Sequence, residues 1–523
     1  MTRATRLRSA GIAVAAAVAL TACGGGSTST SGGAAAGSGP VEGGDLTIAR
    51  AADILAMDKT TTFDNNSIYV MQQIMEPLFT VSADGSEVTP LLATDYTVSD
   101  DKLTYTIKLR QGVTFSTGAP MTAADVKFSI DENTKTGADG WGFVNAAIDT
   151  VEATDDSTVT ITLKYAWAPL LADLALFSNG VIPADYGGKT VEEFYEAPVG
   201  TGPFLWNEWK KGQYLKLTKN PDYWGEDGPY LDSVTWTVVP DANTRKLQVQ
   251  GGQVDVDEFP DWSSFESLKT APGVTATAFP STRIDYIAFN QQKTPFEDVH
   301  VRRAISYAID RESMVKTVLY GNGQAADSLL SPGTPFYAAN PDAPQLDLEK
   351  AKAELAESSQ PNGFATSILI NAGDPNQASV SQIMQAQLKE IGIDLEIKTL
   401  DPTAVKQARN AGDFDMIISG WTMDIPDPDQ WTSFAVDPEG GSHSAYTYYD
   451  NPDVVALNKQ AQAETDDAKR ADLYEQLQAQ VAEDSFAAYL YYSPYAYAMS
   501  TKVQGFAVTP LGNYPLAGVY KTS

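Results

Sequence analysis

Hydrophobic and polar residues alternate along the first half of the chain, which is typical of strands. From Lys102 to Arg110 the sequence KLTYTIKLR places Leu103, Tyr105, Ile107 and Leu109 on one face. The stretches 159–163 and 214–217 repeat this two-residue period. Between the strands, Thr122 is followed by an early acid and predicts the start of a helix.

The second half alternates helical and strand periods. One helical stripe runs from Val301 to Ile309, and a helix capped by Asp347 follows at 348–356. A strand at 366–370, a helix across 380–391 and a strand at 393–397 then form a βαβ unit. Such a unit predicts parallel strands with a right-handed crossover. The aromatic stretch 486–499 is predicted to be a core strand.

A further predicted strand, 415–419, runs directly into GWTMDIPDPDQW, residues 420–431. Ligands in open α/β sheets collect just beyond the carboxyl ends of strands. Prolines stiffen this bend, Trp421 offers an amphipathic wall, and Asp424 can accept a charge-assisted hydrogen bond. Asp427 and Asp429 have a second interpretation, since they can simply cap the helix that follows.

The N-terminus has the pattern of an export signal. Arginines precede a short apolar run, 11–20, that falls well below the roughly 20 residues of a spanning helix. Leu20-Thr21-Ala22-Cys23 is similar to a bacterial lipobox, and Cys23 is the only cysteine, so intrachain disulfides are excluded. We therefore predict a signal peptide at 1–22 and a lipidated Cys23 with a flexible tether at 23–44.

Composition narrows the function classes. The net charge of -31 argues against nucleic acid as a partner, because phosphate binding needs clustered Lys and Arg. The two histidines, His300 and His443, have no metal-ligand spacing, and no motif indicates a cofactor or an enzyme. A surface hydrolase with paired carboxylates stays open as an alternative, because the many acids supply accidental pairs.

Six stretches together resemble a known family. They are similar to the extracytoplasmic solute-binding proteins of peptide-type ABC importers, the oligopeptide, dipeptide and nickel group. The block LR-x-GV-x-F-x-x-G-x-P-x-x-A-x-DV, residues 109–126, is the most specific. The six stretches are 76–78, 90–130, 200–224, 239–256, 289–315 and 412–421.

The resemblance implies an α/β fold of two lobes, joined by a hinge, that enclose the ligand. It places lobe I at 45–285 with an inserted subdomain at about 85–200, lobe II at 286–498, and a C-terminal return to lobe I at 499–523. It also implies a monomer on the extracytoplasmic face of the cell membrane. This monomer delivers its solute to membrane permease subunits.

The resemblance also implies a set of ligand residues. In peptide-binding members the acid of G-W-x-x-D receives the α-amino group, and here that acid is Asp424. Residues expected beside it, on the same wall, in the loop before Glu76 or near the crossover between lobes, are Gly420, Trp421, Thr422, Phe63, Asp64, Asn65 and Asn290.

Some peptide binders of this family have an arginine that binds the ligand carboxylate, and this sequence has none at the two usual positions. Position 418 is Ile and the loop 371–374 has no Lys or Arg, so neither place offers a cation for a ligand carboxylate. Another partner for that carboxylate is then needed. Longer peptides, other amine-bearing solutes or an oligosaccharide stay open, and His443 leaves a nickel complex possible.

Overall fold

The computed structural model describes residues 39–226, 228–438 and 444–522. The predicted signal peptide and Cys23 lie outside these residues, and so does His443. Residues from Pro40 onward form one compact unit. Its strands are β1 Asp45–Arg50, β2 Phe79–Val81, β3 Val88–Pro90, β4 Ala93–Val98, β5 Thr104–Leu109, β6 Ile148–Asp155, β7 Thr158–Leu163, β8 Phe204–Lys210, β9 Tyr214–Lys219, β10 Ser233–Val238, β11 Val256–Glu258, β12 Val274–Phe279, β13 Ile284–Phe289, β14 Gln324–Ala325, β15 Ala365–Asn371, β16 Asp394–Leu400, β17 Met416–Trp421, β18 Ala487–Tyr492, β19 Tyr495–Ser500, β20 Val503–Gln504 and β21 Tyr520–Lys521.

Most helices begin at an acidic or polar cap. Asp347 and Asp374, for example, accept hydrogen bonds from backbone N–H groups in the first turns of α9 and α10. The helices are α1 Asn65–Met71, α2 Ala123–Lys135, α3 Leu170–Asp173, α4 Val191–Glu196, α5 Ala242–Gln250, α6 Trp262–Lys269, α7 Val299–Ala308, α8 Arg311–Val318, α9 Leu348–Glu357, α10 Pro375–Lys389, α11 Pro402–Asn410, α12 Asp429–Val436, α13 Pro452–Ala463 and α14 Asp467–Glu483.

Two large mixed sheets organise the body. The first has the strand order β12-β19-β11-β1-β10-β9-β8, and we call the part built on it lobe I. The second has the order β14-β18-β13-β17-β15-β16 and defines lobe II. A separate four-stranded sheet, β4-β5-β7-β6, lies in the chain between the first strands of lobe I. The predicted βαβ unit is present, since β15 and β16 pair in parallel around α10.

The chain passes between the two sheets at 280–283 and at 493–494. Two hydrogen bonds connect these crossings through Ser493. Ser281 Oγ donates to Ser493 O, and Ser493 Oγ donates to Asp285 Oδ2 at 2.7 Å. The two crossings are therefore joined where a hinge would lie. The exact lobe boundaries stay a prediction.

The aromatic stretch 486–499 is not one core strand, as predicted, but two. It forms β18 in lobe II and β19 in lobe I, separated by Ser493 and Pro494. Proline has no backbone N–H, so a continuous ladder is interrupted there. Both strands are buried almost throughout, and the hydrophobic pattern therefore gives no sign of the change of sheet.

Candidate ligand-binding site

The segment from Ile418 to Asp437 lines three neighbouring cavities, each of which also has lining residues from lobe I or the inserted region. We call them the strand cavity, the central cavity and the aromatic cavity. Their volumes are about 500, 170 and 360 Å³. A ligand that fills them touches both lobes.

The strand cavity lies along the end of β17. Ile418, Ser419, Gly420 and Thr422 form one wall, and Asn65 belongs to the opposite wall. On one side β13 pairs with all of β17. On the other side the β15 ladder reaches only the first two residues of β17. The remaining backbone edge, at 418–421, is left without a neighbouring strand among the described residues and faces this cavity.

Gly420 leaves room for the side chains of Arg283 and Asp285 in the cavity floor. A Cβ added there would lie 2.6 Å from Arg283 Nη2 and 2.8 Å from Asp285 Oδ1. Arg283 binds Asp285 through two hydrogen bonds, of 3.0 and 2.6 Å. Its charge is therefore neutralised within the protein.

Arg409, at the end of α11, is the second cation in the strand cavity. Its guanidinium lies over the Tyr446 ring, 4.3 Å from the centroid, and its buried Nε has no hydrogen-bond partner among the described residues. Cation–π contact holds the group in place without neutralising it. Arg409 is thus available to an anionic ligand group.

Asp424 lines the central cavity and has one side-chain donor. Gln430 Nε2 donates to Asp424 Oδ2 at 2.7 Å, while the Asp424 N–H donates to Gln430 Oε1 at 2.6 Å. Burial raises the pKa of Asp424 to about 6, against the lowering effect of the Gln430 hydrogen bond. Its half-buried carboxylate therefore has capacity for another donor.

Two tyrosine hydroxyls approach Asp424 from lobe I. Tyr69 and Tyr495 are buried, and neither hydroxyl has a hydrogen-bond partner among the described residues. A Cβ added at Gly512 would lie 2.9 Å from each hydroxyl oxygen. The charge of Asp424 contributes to the raised pKa of both tyrosines, after burial, which places the three groups close together. Unsatisfied buried hydroxyls are uncommon, and a ligand or water normally satisfies them.

The aromatic cavity is lined by ring side chains from both lobes. Phe143 and Phe434 meet edge to face, with centroids 5.5 Å apart. Phe63 lines this cavity and is 55% exposed. Asp173 and Asp429 belong to the lining as well.

The predicted site residues divide into two groups. Asp424, Gly420, Thr422, Asn65 and Phe63 line the cavities. Three others have structural contacts instead. Asp64 caps α1 by accepting from the Ser67 N–H. Trp421 stacks on Trp431 and Phe434, with centroids 5.3 and 4.8 Å away.

Asn290 was predicted to bind ligand, but it lies in the core of lobe II and is only 2% exposed. Its amide nitrogen donates to Gly412 O at 2.9 Å and Phe414 O at 3.0 Å. The side chain joins the end of β13 to the loop before β17. We therefore remove Asn290 from the candidate site.

Asp427 supports the structural interpretation of the acidic bend. It forms a bidentate ion pair with Arg470, at 2.9 and 3.0 Å, and accepts from the Asp429 N–H at 3.0 Å. It thus fixes the start of α12, as a capping role requires. Four further lining residues, Arg409, Tyr69, Tyr495 and Asp173, were not predicted, because nothing in their local sequence patterns marks them.

Two α/β lobes with cavities between them define a solute-binding protein of the periplasmic type. Residues 87–443 match the model of the bacterial extracellular solute-binding proteins, family 5, and the chain belongs to this family. It is thus a solute-binding component of the peptide-type ABC importers, as the sequence motifs predicted. Such proteins act outside the cytoplasm. In the described residues no helix has the length and apolar character needed to cross a membrane.

Two of the similar proteins are named for peptide binding. The probable D,D-dipeptide-binding periplasmic protein DdpA of Escherichia coli is 30% identical over 477 residues, which cover 89% of this chain and 92% of DdpA. The oligopeptide-binding protein AppA of Bacillus subtilis is 30% identical, with 97% of each chain covered. These relatives are binding proteins of transport systems rather than enzymes.

Solved structures confirm the two-lobed fold. The binding protein DppA of Helicobacter pylori, in complex with the peptide STSA, aligns with a TM-score of 0.82 at 28% identity and covers 92% of this chain and 99% of its own. AppA of Bacillus subtilis, in complex with a nonapeptide, aligns with a TM-score of 0.80 at 28% identity, covering 92% and 100%.

Proposed function

We propose that this protein captures a short peptide between its lobes, with the α-amino group at Asp424, and delivers it to an ABC permease. The observation that carries the proposal is the closeness of the Asp424 carboxylate, in the central cavity, to the hydroxyls of Tyr69 and Tyr495, which line the strand cavity and have no hydrogen-bond partner among the described residues. An ammonium group has three N–H donors and no acceptor. Asp424, Tyr69 and Tyr495 supply three acceptors from two lobes.

The free edge of β17 supports an extended peptide as the ligand. A peptide lying along 418–421 can form main-chain hydrogen bonds with that edge, as an added strand does. Main-chain contacts of this kind do not depend on side-chain identity. They suit a receptor that takes up peptides of varied sequence.

Arg409 is the proposed partner for the ligand carboxylate. The strand cavity contains two arginines, and Asp285 neutralises Arg283. Arg409 has no ion pair within 4.0 Å in the described part of the chain. A carboxylate at the far end of a peptide would therefore find its strongest partner there. Arg409 would thus supply the cation for the ligand carboxylate that positions 418 and 371–374 lack.

Closure follows from the division of the site between lobes. Asp424 and the β17 edge belong to lobe II, whereas Tyr69 and Tyr495 belong to lobe I. A ligand that contacts all of them binds the closed form more tightly than an open one. Binding energy then shifts the population toward closure, which a permease can recognise.

The remaining parts of the proposal concern the chain as a whole. We infer that the protein acts as a monomer, performs no catalysis, and is held at the outer face of the membrane by lipid on Cys23. Replacing Cys23 with Ser should abolish lipid labelling and release the protein or leave it as uncleaved precursor. Continued lipid labelling of Cys23→Ser would contradict the anchor.

Native mass spectrometry of freshly purified protein tests the ligand class directly. We expect a bound mass that dissociates on denaturation and gives a peptide sequence by fragmentation. A bound sugar or metal chelate in place of a peptide, with no binding of tripeptides to the stripped protein by calorimetry, would overturn the proposal.

A further inference from the structure

The aromatic cavity lies beside the amine anchor and is not used by a peptide backbone along β17. Gln430 connects the two places, because it donates to Asp424 and also lines the aromatic cavity. A ligand with its α-amino group at Asp424 would have the side chain of its first residue at this cavity. At about 360 Å³ the cavity is within the range of small-molecule sites, about 300–1,000 Å³.

Two carboxylates from opposite lobes face this cavity. Asp173, at the end of α3, is 2% exposed, and Asp429, at the start of α12, is 7% exposed. Burial raises the pKa of Asp173 well above its usual range, and the nearby charge of Asp429 raises it further. Burial and the charge of Asp427 raise the pKa of Asp429 to about 6.

The hydrogen bonds to these acids leave acceptor capacity unused. Trp167 Nε1 donates to Asp173 Oδ2 at 2.7 Å, and Asp173 Oδ1 has no partner among the described residues. Ser433 and Gln462 both donate to Asp429 Oδ1, each at 2.7 Å. Asp429 Oδ2 has no hydrogen-bond partner among the described residues. A ligand group that brings N–H donors into the cavity can bind these two oxygens.

Among the described residues, no Lys or Arg forms an ion pair with Asp173 or Asp429. Arg470 is the nearby cation, and its two terminal nitrogens are both bound to Asp427. Asp427 and Arg470 therefore neutralise each other, and Arg470 is not available to Asp173 or Asp429. A cationic ligand group would compensate both.

The other walls of the cavity suit a cation as well. Phe63, Phe143, Trp167 and Phe434 present ring surface, and aromatic faces attract ammonium and guanidinium groups. The half-exposed ring of Phe63 is the one that a ligand side chain would cover. The aliphatic stem of a Lys or Arg side chain also gains from this apolar surface.

We propose that the aromatic cavity is a subsite for a cationic side chain, Lys or Arg, on the first residue of the bound peptide. Asp173 and Asp429 accept its N–H donors from the two lobes, and the rings enclose its stem. This inference rests on the proposed function. It names the substrate class as peptides with a basic first residue.

Closure would complete the subsite. The Ala168 N–H donates to Gln462 O at 2.8 Å and joins the loop before α3 to α13 of lobe II. In the empty protein, Asp173 and Asp429 face the same cavity from the two lobes without a cation between them among the described residues. A cationic ligand group that contacts both carboxyl groups binds the closed form more tightly, so the correct ligand favours closure.

The test compares Lys-Ala-Ala with norleucine-Ala-Ala, which has the same α-amino group and nearly the same stem but no charge at its end. Calorimetry on stripped protein should show Lys-Ala-Ala binding at least tenfold more tightly. In Asp173→Asn, which keeps an acceptor for Trp167, the preference should fall below threefold. If Asp173→Asn does not fold, the same ratio of affinities for the two peptides is measured in Asp429→Asn, where it should also fall below threefold.

Two controls make the result specific. Asp95→Asn removes one exposed acid in β4, far from the cavities, and should keep the full preference. Ala-Ala-Lys carries the charge at the other end and should show no loss in Asp173→Asn. Equal binding of the lysine and norleucine peptides by the unaltered protein would overturn the subsite while leaving the proposed function intact. Failure of every tripeptide to bind would overturn both.

Discussion

Glu76 and Asp424 line the same central cavity, yet their carboxylates differ in the number of hydrogen bonds that they accept. Glu76 accepts three hydrogen bonds at 2.8 Å, from Thr201 Oγ1, Tyr223 Oη and Trp224 Nε1. Asp424 accepts one, from Gln430, and lies close to the hydroxyls of Tyr69 and Tyr495, which have no hydrogen-bond partner in the described part of the chain. The difference indicates two roles for a carboxylate in this cavity: Glu76 stabilises the fold, and Asp424 is available to a ligand.

The donors of Glu76 all come from lobe I and the chain beside it, so they hold one lobe together whether or not a ligand is present. The groups that surround Asp424 come from both lobes and are incomplete. A carboxylate whose hydrogen bonds are filled has little to offer a ligand. One that is short of donors at an interface gains from a ligand that brings them.

The largest effect should come from removing the saturated acid. Glu76→Ala leaves three donors without an acceptor, and we expect the free energy of unfolding to fall by about 3 kcal/mol. Chemical denaturation measures this change. Peptide affinity at a temperature where the variant is folded should stay within about threefold, since the donors belong to one lobe. A larger loss of affinity than of stability would reverse the roles that we assign.

Asp424→Asn should have the opposite profile. The amide keeps the shape of the side chain but not its charge, so peptide affinity should fall at least tenfold, or about 1.4 kcal/mol. Thermal unfolding should move little, because burial already disfavours the ionised form of this group. Unchanged affinity in calorimetry would exclude Asp424 as the amine anchor.

The pH dependence of binding provides a third comparison. An ammonium ligand needs ionised Asp424, and burial raises the pKa of that group in the free protein to about 6. Affinity should therefore be steady above pH 7 and fall about tenfold between pH 7 and pH 5. The profile of Asp424→Asn should be nearly flat across this range for Ala-Ala-Ala. An equal slope in the variant would assign the titration to another acid.

Stability should depend on pH through Glu76 in a different window. Burial raises the pKa of Glu76 to about 7, despite its three donors and the charge of Arg110. The folded protein then retains a proton that the unfolded chain has released, so stability should fall as pH rises from about 4.5 to 7 and level off above. Glu76→Gln should remove this slope. A slope that persists in the variant would show that other groups cause it.

The smallest effect should come from Arg409→Gln. The charge lies at the end of the strand cavity and is partly exposed, so we expect a loss of threefold to tenfold. The loss should appear with Ala-Ala-Ala and vanish with its C-terminal amide. Equal losses with both peptides would mean that Arg409 contributes packing rather than charge recognition.

Much of the fold could be predicted from periodicity. The βαβ unit and the strand that leads into Trp421 lie within a few residues of β15, β16 and β17, because each has a clear period of two or 3.6 residues. The split of residues 486–499 between two sheets could not be predicted, since a strand buried on both faces has no alternation to interpret.

The site was only partly predictable for a related reason. Asp424 and Gly420 lie in one continuous motif, so sequence marks them directly. Tyr69 and Tyr495 come from distant parts of the chain and meet only after folding, and Arg409 lies in an ordinary helix. Asn290 was predicted as a ligand residue but has a structural role. A polar side chain at a strand end can donate to backbone carbonyls instead of to a ligand, and sequence does not distinguish the two.

The account depends most on the pairing of Asp424 with a free amine, and one set of four affinities tests it. Calorimetry would measure Ala-Ala-Ala and its N-acetyl form with the unaltered protein and with Asp424→Asn. We predict that acetylation costs the unaltered protein at least tenfold and the variant less than threefold, since only the ionised acid distinguishes the two peptides. An equal cost of acetylation in both proteins would contradict the central claim.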